Sequence, residues 1–287
     1  MNPRTTPISF ELFPPKTEKG MEKLKATVNE LNRLKPEYIS VTYGAGGSTQ
    51  ERTFTTVDWL RAQDIETAPH LSCIGASRED IQAMLERYAA QGIRRIVALR
   101  GDLPSGAGPG VGGELNYANE LVTFIRQQFG SRFHIEVAAY PEFHPQSENA
   151  QSDLKYFKQK IDTGANGAIT QYFYNADAYW RYCEDCATLG VEIPIVPGIM
   201  PIANFSSLAR FSDACGAEIP RWIRKRLESY GDDSASIQAF GLEVVSCLCE
   251  NLIQGGAPGL HFYTMNQSSL VLEICGRLGI KPGDSAA

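Results

Sequence analysis

Glu11 lies in Ile8-Ser-Phe-Glu-Leu-Phe-Pro-Pro-Lys16, a carboxylate among apolar neighbours. Ile8–Phe13 is expected to be a strand, stopped by Pro14 and Pro15 because a proline has no N–H to give to a sheet. Side chains alternate along a strand. Ile8, Phe10 and Leu12 are therefore expected on one face, and Ser9, Glu11 and Phe13 on the other. The carboxylate then sits near the carboxyl end of its strand, where ligands bind in parallel α/β sheets. An ionised Glu in apolar surroundings needs a partner or shifts its pKa upward. An upward shift suits a proton donor near neutral pH. Pairing with a buried Arg or Lys is the structural alternative.

Other polar residues fall at the same end of later strand-like runs. Thr42 and Tyr43 close the second run and His70 lies on the third. Arg100 and Asp102 end the fourth, Tyr140 and His144 follow the fifth, and Gln171 lies on the sixth. A lone His or Gln is more often a satisfied core residue; shared placement is what makes these an expected active site. The loop Gly106-Ala-Gly-Pro-Gly-Val-Gly-Gly113 lacks both G-x-G-x-x-G and G-x-x-x-x-G-K-[ST]. It is expected to be a flexible active-site loop rather than a phosphate cradle. Cys183-x-x-Cys186 sits within a predicted helix, Ala176–Leu189, with no second Cys/His pair at ligand spacing, so no metal is expected. Cys247 and Cys249 are expected to be small core residues. No nucleophile elbow is present. Proton transfer beside a bound organic cofactor is the chemistry left over.

The elements that would position these groups alternate along the chain. Strands are predicted at Ile8–Phe13, Tyr38–Tyr43, Glu66–Cys73, Arg95–Arg100, His134–Ala139, Ala168–Phe173, Ile193–Pro197 and Gly259–Tyr263. Most precede a helical pattern such as Glu18–Leu34, where Met21, Leu24, Val28 and Leu31 recur at helical spacing. Ser48 or Thr49 is expected to cap the second helix, and Ser77 the third. Such alternation implies a parallel sheet. Eight repeats in 287 residues favour an α/β fold of the (β/α)8 TIM-barrel type, which typically takes about 250 residues. One domain is expected over residues 1–287, with 1–7 and 283–287 as loose tails. An open sheet with a small lid domain is the alternative.

The formal charge of −6 argues against a general nucleic-acid binder. Seven cysteines, an odd number, with no secretory leader in front point to a reducing cytoplasm. No apolar run reaches the roughly 18 residues of a membrane span.

Seven segments carry a family resemblance. Phe10-Glu-Leu-Phe-Pro-Pro-Lys16, Ser40-Val-Thr-Tyr-Gly-Ala-Gly-Gly47, Ala98-Leu-Arg-Gly-Asp102, Ala139-Tyr-Pro-Glu-Phe-His-Pro145, Ile169-Thr-Gln-Tyr-Phe173, Val196-Pro-Gly-Ile-Met-Pro201 and His261-Phe-Tyr-Thr-Met-Asn266 resemble methylenetetrahydrofolate reductase, in order over nearly the whole chain. The length is similar to that of the short bacterial-type enzyme. The resemblance implies an FAD-containing barrel in one-carbon metabolism and methionine biosynthesis. NAD(P)H would reduce the flavin and leave; 5,10-methylenetetrahydrofolate would then accept hydride and become 5-methyltetrahydrofolate.

By motif, Glu11 matches the proton donor that opens the imidazolidine ring at N10, and Asp102 the acid beside flavin and pterin. Gln171 matches the amide that contacts pterin and nicotinamide in turn, and Phe211 an aromatic that packs on the bound ligand. For FAD the resemblance implies Tyr43, Ala45, His70, Arg100, Gly101, Asp102, Ala118, Tyr140, His144, Asp153 and Lys160, with Thr42 near the nicotinamide. Tyr156 and Gln159 stand where bacterial relatives often have Asn and Arg. Ser207 and Gln267 replace a Gln and an Arg that contact folate. A homo-oligomer is implied. A flavin-barrel dehydrogenase acting on another small donor, and a folate-binding partner subunit without flavin, are the alternative readings.

Overall fold

The computed structural model describes residues 6–43, 47–101 and 113–281, without the side chains of residues 47–49. Strand β1 is Ile8–Leu12. The chain continues through α1 (Glu18–Asn32), β2 (Tyr38–Val41), α2 (Gly47–Ala62), β3 (Thr67–Ser72), α3 (Arg78–Ala90) and β4 (Arg95–Leu99). Then come α4 (Ala118–Phe129), β5 (His134–Ala139), α5 (Ala150–Asp162), β6 (Gly167–Thr170) and α6 (Ala176–Thr188). It ends with β7 (Ile195–Val196), β8 (Gly198–Ile199), α7 (Phe205–Cys215), α8 (Arg221–Ser229), α9 (Ser234–Gln254), β9 (Leu260–Tyr263) and α10 (Ser269–Arg277).

Every strand pair among the described residues is parallel, in the order β7-β6-β5-β4-β3-β2-β1-β9-β8. β7 and β8 are two halves of one extended run, separated by Pro197. β7 pairs with β6 and β8 with β9, so the sheet curls back on itself. The seventh strand predicted from sequence is thus divided, because Pro197 has no N–H to continue the ladder. Its carbonyl still accepts from His261 N–H at 3.0 Å. The seam is fastened by Gly198 N–H, which donates to Thr170 Oγ1 at 2.9 Å, and by the Tyr263 hydroxyl, which donates to Thr170 O at 2.7 Å. A Cβ on Gly198 would collide with Thr170 O and lie 2.6 Å from Tyr263 Cε2. Gly198→Ala is therefore expected to cost about 2 kcal/mol, since overpacking typically costs 1–3. Thermal unfolding followed by circular dichroism checks it.

Strands of a closed parallel barrel are buried on both faces, as in Tyr-Ile-Ser-Val of β2, where all four residues are buried. The outward set, including Phe10, Leu12, Ile39, Val41 and Phe262, packs beneath the helices in one large core. The inward set forms a second, smaller apolar layer: Tyr38, Ala68, Val97 and Ile169, with Leu99 and Tyr263 against it. Helix starts are fixed by side-chain caps that satisfy otherwise orphaned N–H groups. Thr17 accepts from Gly20 N–H, and Ser77 and Asp80 form a reciprocal box. The second helix starts at Gly47, which places Ser48 and Thr49 in its first turn rather than at the cap.

Cys249 is buried but Cys247 is exposed, because the two residues lie on different faces of α9. α9 is, among the described residues, the one helix long and apolar enough to cross a membrane by length and composition. The expectation that no run reaches that length is corrected accordingly. Its buried residues, Leu242, Val245, Leu252 and others, pack into the core.

Candidate active site

Glu11 enters the barrel interior from β1, next to the strand's end. The same inward face carries Ser9, and parallel register sets Ser9 beside His261 and Glu11 beside Tyr263 on β9. On the other flank Glu11 is level with Ser40 of β2. His70, from β3, places Nε2 3.3 Å from Glu11 Oε2, and His261 places Nε2 3.8 Å from the same oxygen. Neither Nε2 atom has an aligned hydrogen bond, so these are close polar contacts rather than directed bonds. His261 is completely buried and is held from behind, its Nδ1 2.7 Å from Ser9 Oγ. Ser40 Oγ, also buried, has no partner.

The electrostatics correct one expectation. Burial, the largest influence on the Glu11 carboxyl, pushes its pKa up. The His261 and His70 contacts together outweigh that and hold the carboxyl at about 2. The upward shift expected from apolar neighbours does not occur, and the partners are imidazoles rather than an Arg or Lys. A carboxyl whose folded pKa lies below the ordinary 4.5 stabilises the fold fully above that value, and loses this contribution as pH falls toward 2. Glu11→Gln should therefore lose about 2 kcal/mol less stability than wild type between pH 5 and pH 2.5. Urea unfolding at both pH values measures it.

Along the rim from β2 to β6 stand the other predicted residues. Thr42 closes β2, its N–H donating to Leu12 O and its carbonyl accepting from Thr53 Oγ1. Tyr43 turns its hydroxyl to Met84 Sδ on α3 at 3.6 Å, toward the helical layer. After β4, Arg100 Nη2 donates to Gln146 Oε1 at 2.7 Å and Nε to Gly101 O at 3.2 Å. Gly101 has φ +89°. Tyr140 and His144 meet edge to face, with ring centres 4.6 Å apart. Ala118 opens α4. Asp153, buried on α5, accepts from Ser147 Oγ at 2.9 Å. Lys160, two turns on, donates to Ala138 O at 2.5 Å, and burial pushes its ammonium down to about 8.

Gln171 ends β6 and folds its side-chain oxygen onto Tyr172 N–H at 3.0 Å. It lines a pocket with Tyr140, Glu142, Tyr172 and Cys215. Burial pushes the Glu142 carboxyl there up to about 7, although it accepts from Glu218 N–H at 2.7 Å. The Tyr172 hydroxyl lies 3.0 Å from Ser212 Oγ, tying α7 to this strand end. α7 carries Phe211, which is exposed. Ala45, Asp102 and nearly all of the glycine-rich loop lie outside the described residues.

The structure thus groups Glu11 with His70 at the inner end of the mouth. Arg100, Asp153 and Lys160 follow along β4, β5 and α5, Tyr140 and Gln171 share one pocket, and Phe211 stands exposed on α7. Sequence reasoning did not single out Ser9, Tyr38 or His261 by itself. Ser9 shares the alternation of Glu11, but His261 in Leu-His-Phe-Tyr looks like a core residue until β9 is laid beside β1. Among the described residues no group of three or more His, Cys, Asp or Glu could hold a metal ion.

A family model described as methylenetetrahydrofolate reductase matches residues 1–279. The chain is 38% identical over 277 residues to a 5,10-methylenetetrahydrofolate reductase of Escherichia coli (strain K12), covering 96% of this chain and 92% of that one. It is 37% identical over 289 residues to methylenetetrahydrofolate reductase (NADH) 1 of Arabidopsis thaliana, covering 96% of this chain and 48% of the plant protein. A solved structure of an uncharacterized Clostridium thermocellum protein, described as binding two copies of 5-methyl-5,6,7,8-tetrahydrofolic acid, superposes with a TM-score of 0.68 at 16% identity. It covers 96% of this chain and 95% of that one and shares its fold.

Proposed function

The chain belongs to the methylenetetrahydrofolate reductase family, and from that premise we propose that it reduces 5,10-methylenetetrahydrofolate to 5-methyltetrahydrofolate with electrons from NADH or NADPH, passed in two half-reactions through bound FAD. The observation that carries this reading is a largely enclosed carboxylate, Glu11, poised between two imidazoles at the carboxyl ends of the strands. Folate reduction of this kind needs one proton at N10, and Glu11 is the acid to give it.

The residues along the β4–β5 side fit a dinucleotide. An ammonium has three donors, and Lys160 uses one on Ala138 O, which leaves two for a diphosphate. Arg100 adds a charged donor, and the facing rings of Tyr140 and His144 offer apolar surface. Bound there, FAD supplies hydride transfer. The chain's own residues do the rest. Arg100, Asp153, His144 and Lys160 hold the dinucleotide, and Thr42 faces the nicotinamide. Gln171 would turn its amide from Tyr172 N–H to whichever ring is present, and Phe211 covers that ring. Asp102 sets a negative charge near the flavin, and Glu11 protonates N10. The seven unpaired cysteines accord with a reducing cytoplasm.

The test is spectroscopic. Purified protein should be yellow, bleach anaerobically with NADH or NADPH, and recolour on addition of 5,10-methylenetetrahydrofolate. Colourless protein that still binds folate would point to the partner-subunit reading. Bleaching without recolouring by folate would point to another substrate.

A further inference from the structure

β9 runs out into strained backbone. Met265 and Asn266 have φ +52° and +55°, the left-handed region that residues other than glycine seldom adopt. Among the described residues Lys35, Asp64 and Phe143 share that region, but no other two are consecutive. Lys35 and Asp64 follow the ends of α1 and α2, where such a residue closes a helix. Neither Met265 nor Asn266 ends a helix, and strain of this kind persists only where the surroundings hold it. Here a set of hydrogen bonds to β1 does so. The Asn266 side chain accepts from Phe13 N–H at 2.9 Å with Oδ1 and donates to Phe13 O at 2.8 Å with Nδ2. The buried Thr264 hydroxyl donates to Glu11 O at 2.7 Å and accepts from Asn266 N–H at 3.1 Å. From α1, Thr27 Oγ1 donates to Asn266 O at 3.3 Å.

The register between β1 and β9 runs as far as Glu11 and Tyr263. Beyond that pair a side-chain amide, with an acceptor and donors of its own, can stand in for a peptide group. Asn266 does so for Phe13, the last residue before Pro14 and Pro15, which have no N–H to offer. On the opposite flank Thr42 N–H holds Leu12 O at 2.9 Å. We propose that Asn266, together with Thr264, is a positioning residue for Glu11. The left-handed turn brings the Asn266 amide back against β1, where it adds one rung past the last backbone pair. Thr264 pins the Glu11 carbonyl and Asn266 pins Phe13, so the segment from which the Glu11 carboxyl projects toward His70 and His261 is fixed at both points. A proton donor must lie within hydrogen-bond reach of the atom it serves. A loosened strand end would carry the carboxyl out of that reach.

This inference rests on the proposed folate reaction, and its test separates the two. The folate half-reaction is measured in Asn266→Gly, Thr264→Val and Thr264→Ser, each with and without Glu11→Gln. Glycine accepts the left-handed backbone and removes only the amide. With Glu11 in place, Asn266→Gly and Thr264→Val should be slowed about tenfold at saturating folate, since small misplacements of a catalytic group are costly, while KM stays within about threefold. Thr264→Ser, which keeps the hydroxyl, should follow wild type. In the Glu11→Gln background neither substitution should cost anything further, because both act through that one carboxyl. Amide exchange at Phe13, read in protein free of substrate, should quicken about tenfold in Asn266→Gly. Wild-type rates in Asn266→Gly and Thr264→Val would overturn the proposal. So would unchanged exchange at Phe13, or an equal loss in both backgrounds, which marks a structural role. If Asn266→Gly fails to fold, the two Thr264 variants carry the test. A wild type with no folate half-reaction would instead refute the proposed function, and this inference with it.

Discussion

Glu11→Gln is expected to slow reduction of 5,10-methylenetetrahydrofolate about 10³-fold, within the 10²–10⁴ that a positioned general acid contributes. NAD(P)H-to-menadione turnover should stay within about threefold of wild type. The amide fills the same space and leaves the fold of β1 alone, but it has no acidic proton to release at N10. It also removes the anion that His70 and His261 face at 3.3 and 3.8 Å. Hydride passing from the nicotinamide needs no proton from this carboxyl. The two activities are read in one preparation, so flavin content divides out. Folate reduction at the wild-type rate would remove Glu11 from the chemistry.

Gly101→Ala should be the most damaging small substitution near the mouth. Gly101 has φ +89°, where a side chain is strained, and an added Cβ would run into Ser72 Oγ and lie 2.8 Å from Ile74 Cγ2. Neither neighbour is free to retreat. Ser72 Oγ donates to Arg100 O at 2.8 Å, and Ile74 N–H donates to the same oxygen at 2.9 Å. Left-handed strain of about 1–2 kcal/mol and overpacking of about 1–3 sum to about 3 kcal/mol. At about 2–4 °C per kcal/mol for a chain of this order of size, the melting temperature should fall by about 6–12 °C. Arg100 would be displaced with the bend, so the variant should also lose flavin on gel filtration. A variant that melts like wild type and stays yellow would contradict both the strain and the role of the bend.

The barrel was legible because its signals are local. Alternation at Ile8–Leu12, helical spacing at Leu24, Val28 and Leu31, and stops such as Pro14-Pro15 each depend on a few adjacent residues. The position of Glu11 near a strand end followed from the same pattern. What the sequence hid depends on register between distant segments. His261 lies 252 residues from Ser9, and only the β1–β9 ladder makes them neighbours. For the same reason the partners of Glu11 are hidden: of the two outcomes open to it, a partner or an upward shift, the fold supplies partners, and they come from β3 and β9 rather than from its neighbours in sequence. The split at Pro197 is not legible because a proline reads as a strand end, whereas the chain passes through it to pair with β9.

The central claim is that Glu11 delivers a proton to folate N10 inside this barrel. A crystal structure of the Glu11→Gln variant with FAD and 5,10-methylenetetrahydrofolate tests it most directly, since that variant should bind the substrate without turning it over. The account predicts N10 within about 3.2 Å of the introduced side-chain amide, directly or through one water, with His70 and His261 still flanking that group. A pterin seated with N10 remote from that amide, and another acid beside it, would contradict the account.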